Sequence, residues 1–199
     1  MTPPESPELH TRFRTIVVFS MLFAVLGAVV LFAYFSTFNR PLTTVVLVRH
    51  AEKKIGPDNP NPDLSPAGQA RAQELVRLLR SANVTAIYAS QFVRTQQTVQ
   101  PLASHLGQTV TQIEAGKTDE LVTQILTNHR GGTVFVAGHN NTVPATIEAL
   151  GGGNTPIIPE NEFDNMFIVT VYRTGYAKVL KIKYGTGSPP GGGTGTMVP

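Results

Sequence analysis

The stretch TTVVLVRHAEKK, Thr43 to Lys54, sets an unbroken apolar run, Val45 to Val48, directly against Arg49 and His50. A continuous β-branched and aliphatic run is the pattern of a strand covered on both faces, not of a strand with one wet side. Such a strand is a rigid mount, and this one ends on an arginine and a histidine. A second run has the same design. TVFVAGH, Thr133 to His139, is apolar to its end and then delivers a histidine. Between the two lies VTAIYAS, Val84 to Ser90, with Arg94 only a few residues beyond it.

Working outward, the sequence alternates. The loop GPDNPNPDLSP follows the first strand, and its proline content suits a connector or a cover for a site. Ser65 is placed to cap a helix whose first residue is Pro66, with Ala72, Leu75, Val76 and Leu79 at helical spacing through Arg80. After the strand 84–90, QFVRTQQTVQPLASHLG reads as a helix with Val99, Leu102 and Leu106 on one face and Pro101 as a point of kinking or shortening. Thr109 to Ile113 reads as a small strand, and Asp119 to His129 as a helix closed by Gly131 and Gly132. NTVPATIEALGG follows the strand 133–138 as a further helix. The run from Asn165 to Gly185 reads as two strands joined at Thr174 and Gly175. Strands alternating with helices give an α/β sandwich with a largely parallel sheet. Ligands of such sheets bind at the carboxyl ends of the strands. Arg49, His50, Arg94 and His139 therefore converge on one edge.

The two ends of the chain differ from its middle. Thr15 to Phe38 carries no charged residue and is long enough to cross a bilayer. Bulky aromatics in FAYFSTFNR, Phe32 to Arg40, make a poor cleavage site, so the expectation is a retained transmembrane helix over residues 15–38 behind a flank of residues 1–14. Arg12 and Arg14 precede it, and long C-terminal domains cross largely regardless of their charge. The expected placement is N-terminus in the cytoplasm and domain outside. From Gly185 to Pro199 the chain is glycine, proline, serine and threonine with little to bury, the composition of a disordered tail. The folded domain is then residues 41–184. A net charge of +3 over 199 residues fits an anionic ligand but is too small and scattered to imply nucleic acid. The absence of cysteine removes thiol nucleophiles and disulfides.

The pair RH after its strand, the segment SQFVRTQQT and the later GHNNTVP, in that order, resemble the histidine phosphatase superfamily, which includes the phosphoglycerate mutases. The resemblance spans roughly Thr43 to Tyr184. It implies a three-layer sandwich of the phosphoglycerate mutase type, His50 as nucleophile and a phosphohistidine intermediate. One departure is Ala51, where the family usually has glycine.

The residue types suit that chemistry. Guanidinium forks at Arg49 and Arg94 hold phosphate oxygens and keep their charge. Their charges also disfavour protonation of a neighbouring imidazole, leaving His50 its lone pair. His139 would donate to the transferring phosphoryl group. No metal or other cofactor is implied. The family also uses an acid to protonate the leaving group. Two candidates stay open: Glu114, in the loop after the helix that follows Arg94, and Glu52, two residues past His50. The expected substrate is a phosphate ester, a small molecule or an envelope component. The alternatives are a phosphoglycerate-type mutase and a phosphate-binding domain without turnover. His10, His105 and His129 read as surface residues, Asn140 as a helix cap, and Lys53 and Lys54 as loop charges.

Overall fold

The structure is a computed structural model that describes residues 7–38, 41–56 and 59–188. The chain divides into two units, residues 1–40 and 41–199. The first is a single helix, α1, Pro7–Phe38. Its start lies ahead of Thr15 and takes in Arg12 and Arg14, since proline is readily accepted in a first helical turn. Within it, Thr11–Ser36 is 26 residues, uncharged beyond Arg14, with apolar side chains on every face. At about 1.5 Å per residue this is long enough to cross a hydrocarbon core of about 30 Å.

The second unit carries β1 Pro41–Arg49, α2 Pro66–Leu79, β2 Val84–Ala89, α3 Val93–Leu106, β3 Val110–Gln112 and α4 Thr118–Asn128. These are followed by β4 Thr133–Gly138, α5 Thr142–Ala149, β5 Asn165–Tyr172 and β6 Ala177–Lys183. The sheet order is β3-β2-β4-β1-β5-β6. Strands β3, β2, β4 and β1 run parallel, and the β5–β6 hairpin closes the edge antiparallel. Side chains alternate across the sheet as the pleat requires. Val45 and Leu47 join one buried cluster with Val122 and Ile125 of α4 and Val143 and Ile147 of α5. Val46 and Val48 join the other with Leu75 and Leu79 of α2 and Val99 and Leu102 of α3. Both faces of β1 are therefore covered, which is why its sequence is a solid apolar run rather than an alternating one.

The caps follow the sequence closely. Ser65 accepts a hydrogen bond from the Gly68 N–H at 3.2 Å, with Pro66 at the first turn of α2. A Cβ at Gly68 would lie 2.1 Å from the Glu52 carbonyl oxygen, so only glycine lets α2 pack this closely on the loop after His50. Helix α3 runs through Pro101 without a break. Leu102 and Ala103, just beyond the proline, are fully buried against the sheet, and that burial carries the helix past the missing hydrogen bond. The first residues of the expected tail have partners in the domain. The carbonyls of Tyr184 and Thr186 accept from Arg71, and Ser188 accepts from the Phe163 N–H and donates to Asp164. Residues 189–199, the rest of the expected tail, lie outside the described residues.

Candidate active site

Parallel pairing of β1 with β4 sets Arg49 opposite Gly138. The next residue of each strand is a histidine, so His50 and His139 emerge side by side at the carboxyl edge, ring centroids 5.4 Å apart. The His50 N–H donates to the Gly138 carbonyl at 2.9 Å, extending the ladder one residue past the strand. Gly138 is required here, because a Cβ would lie 2.8 Å from Thr142 Oγ1. That hydroxyl accepts from the His139 N–H at 2.8 Å and so ties the turn into α5.

The His50 ring is oriented by the backbone. Nδ1 lies 2.8 Å from the Ala51 carbonyl oxygen, which can only accept, so Nδ1 carries the proton and Nε2 the lone pair. The Ala51 N–H in turn donates to Thr98 Oγ1 of α3 at 2.9 Å. Ala51 is fully buried, and Asn83 is the one non-glycine residue of positive φ among the described residues. A methyl group in place of the family's usual glycine therefore costs the backbone nothing at this position. His139 Nε2 pairs with Ser90 Oγ at 2.9 Å, and Ser90 with Thr95 Oγ1 at 2.8 Å, a buried relay from the ends of β2 and β4 to the first turn of α3.

Both imidazoles are held neutral. The pKa of His50 is lowered to about 3, first by burial and then by Arg49, His139 and Arg94, against the opposing bond to Ala51. That of His139 is lowered to about 4, first by burial and then by Arg94 and Arg49. Repulsion by the arginines, the expected cause, is thus secondary to desolvation.

The two arginines flank the histidines. Arg49 is buried, with Cζ 4.3 Å from the Phe163 ring centroid. Its Nη1 donates to the carbonyls of Pro159 (2.8 Å), Glu160 (2.8 Å) and Glu162 (3.2 Å), and its Nη2 to Glu160 Oε2 (2.8 Å). Arg94, at the start of α3, is half-buried with Cζ 4.3 Å from the Phe92 ring centroid. Phe92 also stands edge-on to His139 at 5.1 Å, and Phe163 lies 6.0 Å from His50. The Nε–H groups of both arginines are buried and have no hydrogen-bond partner among the described residues. Two orphaned cationic donors near two neutral imidazoles are groups that an anion could satisfy.

The two acid candidates sit elsewhere. Glu52 is turned away from His50 into a fork with Arg71, with Nε–Oε1 at 3.0 Å, Nε–Oε2 at 2.9 Å and Nη2–Oε1 at 2.6 Å. Glu114 is exposed, 3.9 Å from Lys117, while its neighbour Ala115 lines a groove with Phe92, Arg94 and His139. Asn140, read as a cap, instead donates through Nδ2 to Glu160 Oε1 at 2.6 Å. The sequence reading missed Glu160, Phe163 and Ser90. The first two lie in the fifteen-residue connection 150–164 between α5 and β5, and the length of that loop was the available signal.

Known proteins match this picture. The family description "Histidine phosphatase superfamily (branch 1)" matches residues 45–117. No curated protein sequence matches the chain. Among solved structures, the chain is similar to the protein histidine phosphatase SixA in complex with tungstate, at 20% identity and a TM-score of 0.59, covering 70% of this chain and 96% of that one. The putative phosphohistidine phosphatase SixA from Agrobacterium tumefaciens gives 22% and 0.52, covering 72% and 97%. A mycobacterial glucosyl-3-phosphoglycerate phosphatase with inorganic phosphate gives 13% and 0.57, covering 72% and 97%. At these identities the likeness shows the fold, and it extends over nearly the whole of each of those domains.

Proposed function

We propose that the domain, whose residues 45–117 match the histidine phosphatase superfamily, is a member of that superfamily and that the chain is a membrane-tethered phosphatase that hydrolyses phosphate monoesters through a phosphohistidine on His50. The observation that carries the reading is the pair of buried, unpartnered Nε–H donors of Arg49 and Arg94 beside the neutral histidines. Nε2 of His50 attacks phosphorus, forming the N–P bond as the ester P–O bond breaks and the alcohol leaves with a proton. Water then attacks the phosphohistidine, releasing inorganic phosphate and restoring the imidazole. The arginines hold phosphoryl oxygens throughout. With Ser90 Oγ–H donated to Nε2 of His139, Nδ1–H of that ring is left to bond an equatorial oxygen. Arg49, His50, Arg94 and His139 are the residues assigned to this step. Glu114 is retained as the donor to the leaving group on its place beside the groove.

The tether rests on α1, and the orientation proposed is N-terminus in the cytoplasm with the domain outside. A second reading is favoured by the placement of the acids, since neither Glu52 nor Glu114 bonds to a site histidine or arginine. A phosphoryl group carried on nitrogen, as named for the SixA proteins, leaves with less help from an acid than an alkoxide does. The test is a trapping experiment on the intact chain with labelled phosphoramidate and alkyl phosphate. Acid-labile, base-stable phosphoenzyme that hydrolyses supports the phosphatase, and transfer to an added alcohol would make it a mutase. No phosphoenzyme with either donor would leave a binding domain. Retention of the intact chain in membranes through salt and alkaline washing tests the tether, and a mature soluble form beginning near Pro41 would overturn it.

A further inference from the structure

Glu160 is a carboxylate bonded to Arg49 beside this site, and the reading above gives it no part. Its side chain is 78% exposed, yet both oxygens are fixed, Oε2 by Nη2 of Arg49 at 2.8 Å and Oε1 by Nδ2 of Asn140 at 2.6 Å. Its backbone is fixed too, because Nη1 of the same Arg49 takes the carbonyls of residues 159, 160 and 162. The carboxylate thus stands one guanidinium away from the orphaned Nε–H of Arg49. A carboxylate has roughly four acceptor sites, and the two bonds to Arg49 and Asn140 leave the others to solvent. Glu52 is the contrast, with three bonds to Arg71 and a side chain only 23% exposed. The charge of Glu160 acts on both Arg49 and Arg94, while the shifts of the two histidines come from burial and the guanidiniums. With its side chain largely in solvent and its two oxygens bonded to Arg49 and Asn140, it lies at the rim of the site.

We propose that Glu160 sets the charge preference of the site. It favours phosphoryl compounds that carry a cation, such as an ammonium group, beside the phosphoryl group, and it disfavours those that carry a second anion there. The proposal rests on the phosphoryl-site reading of Arg49 and Arg94. A ligand ammonium would bond the free lone pairs of a carboxylate already held in place, with little ordering still to do. A ligand carboxylate would meet a like charge that Arg49 and Asn140 prevent from swinging away.

The test uses two phosphonates of similar size, which cannot be hydrolysed, so it does not depend on turnover. Binding of 2-aminoethylphosphonate, phosphonoacetate and inorganic phosphate to the intact chain in detergent is measured by calorimetry. The aminophosphonate is expected to bind roughly three- to tenfold tighter than the carboxyphosphonate, the scale of one exposed charge pair gained and one like pair avoided. Glu160→Gln keeps the shape and an acceptor for Arg49, and it should bring the ratio close to one. Glu148→Gln, which removes an equal charge from an exposed position on α5, should leave the ratio as it was. An unchanged ratio in Glu160→Gln, or an equal loss for both phosphonates, would make Glu160 a loop clamp only and overturn the proposal. If the unaltered chain binds none of the three, phosphate included, the phosphoryl-site reading falls and this proposal with it.

Discussion

Arg71 and Arg94 are put to opposite uses on the two sides of the loop that follows His50. Arg71, on α2, is almost fully buried with every nitrogen engaged: Nε and Nη2 on Glu52, Nη1 on the Tyr184 carbonyl and Nη2 also on Thr186. It joins the segment after β1 to the end of the domain. Burial works against its charge, but the bonds to Glu52 and that carboxylate's field outweigh it and hold the pKa above the usual value. Arg94, on α3, has a buried Nε–H without a partner among the described residues, and burial lowers its pKa. A satisfied guanidinium is a clasp, whereas one kept short of partners is, on the proposed reading, a receptor. Arg49 is both, with its Nη atoms bound to the 159–162 loop and its Nε left over.

The sharpest way to break this division is at the residue both regions border. His50→Ala should lower turnover by more than about a thousandfold and abolish phosphoenzyme, with the fold kept. Substantial residual turnover would remove His50 as nucleophile. Arg71→Ala should cost about 3–5 kcal/mol of stability, the scale for stranding one member of a buried pair. Its urea midpoint should fall while phosphate affinity in the surviving folded protein changes little. Arg94→Ala should do the reverse, weakening inhibition by phosphate about tenfold to a hundredfold, the worth of one or two charge-assisted bonds. Its urea midpoint should not fall. If the two variants behave alike, the distinction between clasp and receptor is wrong.

The histidines give a smaller, pH-dependent effect. Folded, they bind protons only near pH 3 and 4, whereas unfolded imidazoles do so near 6.5. Below about pH 6.5 the unfolded chain therefore takes up protons that the folded chain does not, and stability falls with pH through this window. Above it the two states match and the contribution is flat. Denaturation midpoints from pH 7.5 to 4.5 should show this fall, shallower in His50→Gln. Equal slopes would mean that His50 takes up its proton while folded. Lys53→Ala, at an exposed position, should change kcat/KM less than about twofold, and a tenfold loss would place that loop charge in the site.

The sequence was most readable where chemistry and periodicity coincide. Two apolar runs ending in histidine announced both the strands and the edge on which ligands collect. Ser65, Pro66 and the apolar spacing of α2 announced that helix nearly to the residue. The direction of side chains was not readable. Glu52 looks like a donor because it is two residues from His50, yet the backbone turns between them and Arg71 is nineteen residues further on. Glu160 lies 111 residues from Arg49 in sequence, and no local pattern could have joined them. Composition likewise gave no sign of the contacts of residues 185–188, three of whose polar groups pair with Arg71, Phe163 and Asp164.

The position of β1 has a consequence for how the domain is made. The strand pairs with β4 on one side and β5 on the other, so its partners begin at Thr133 and at Asn165. During synthesis this strand is finished first and must wait for on the order of a hundred further residues. At roughly 5–20 residues per second that is a delay of about 5–20 seconds. Contacts this distant in sequence also close slowly once both partners exist. Through that interval Val45 to Val48 form an unpaired hydrophobic edge, the kind of segment on which nascent chains aggregate. Biogenesis of this protein should therefore depend on a holdase that covers β1 early, and its yield should respond to translation speed more than to the stability of the finished fold.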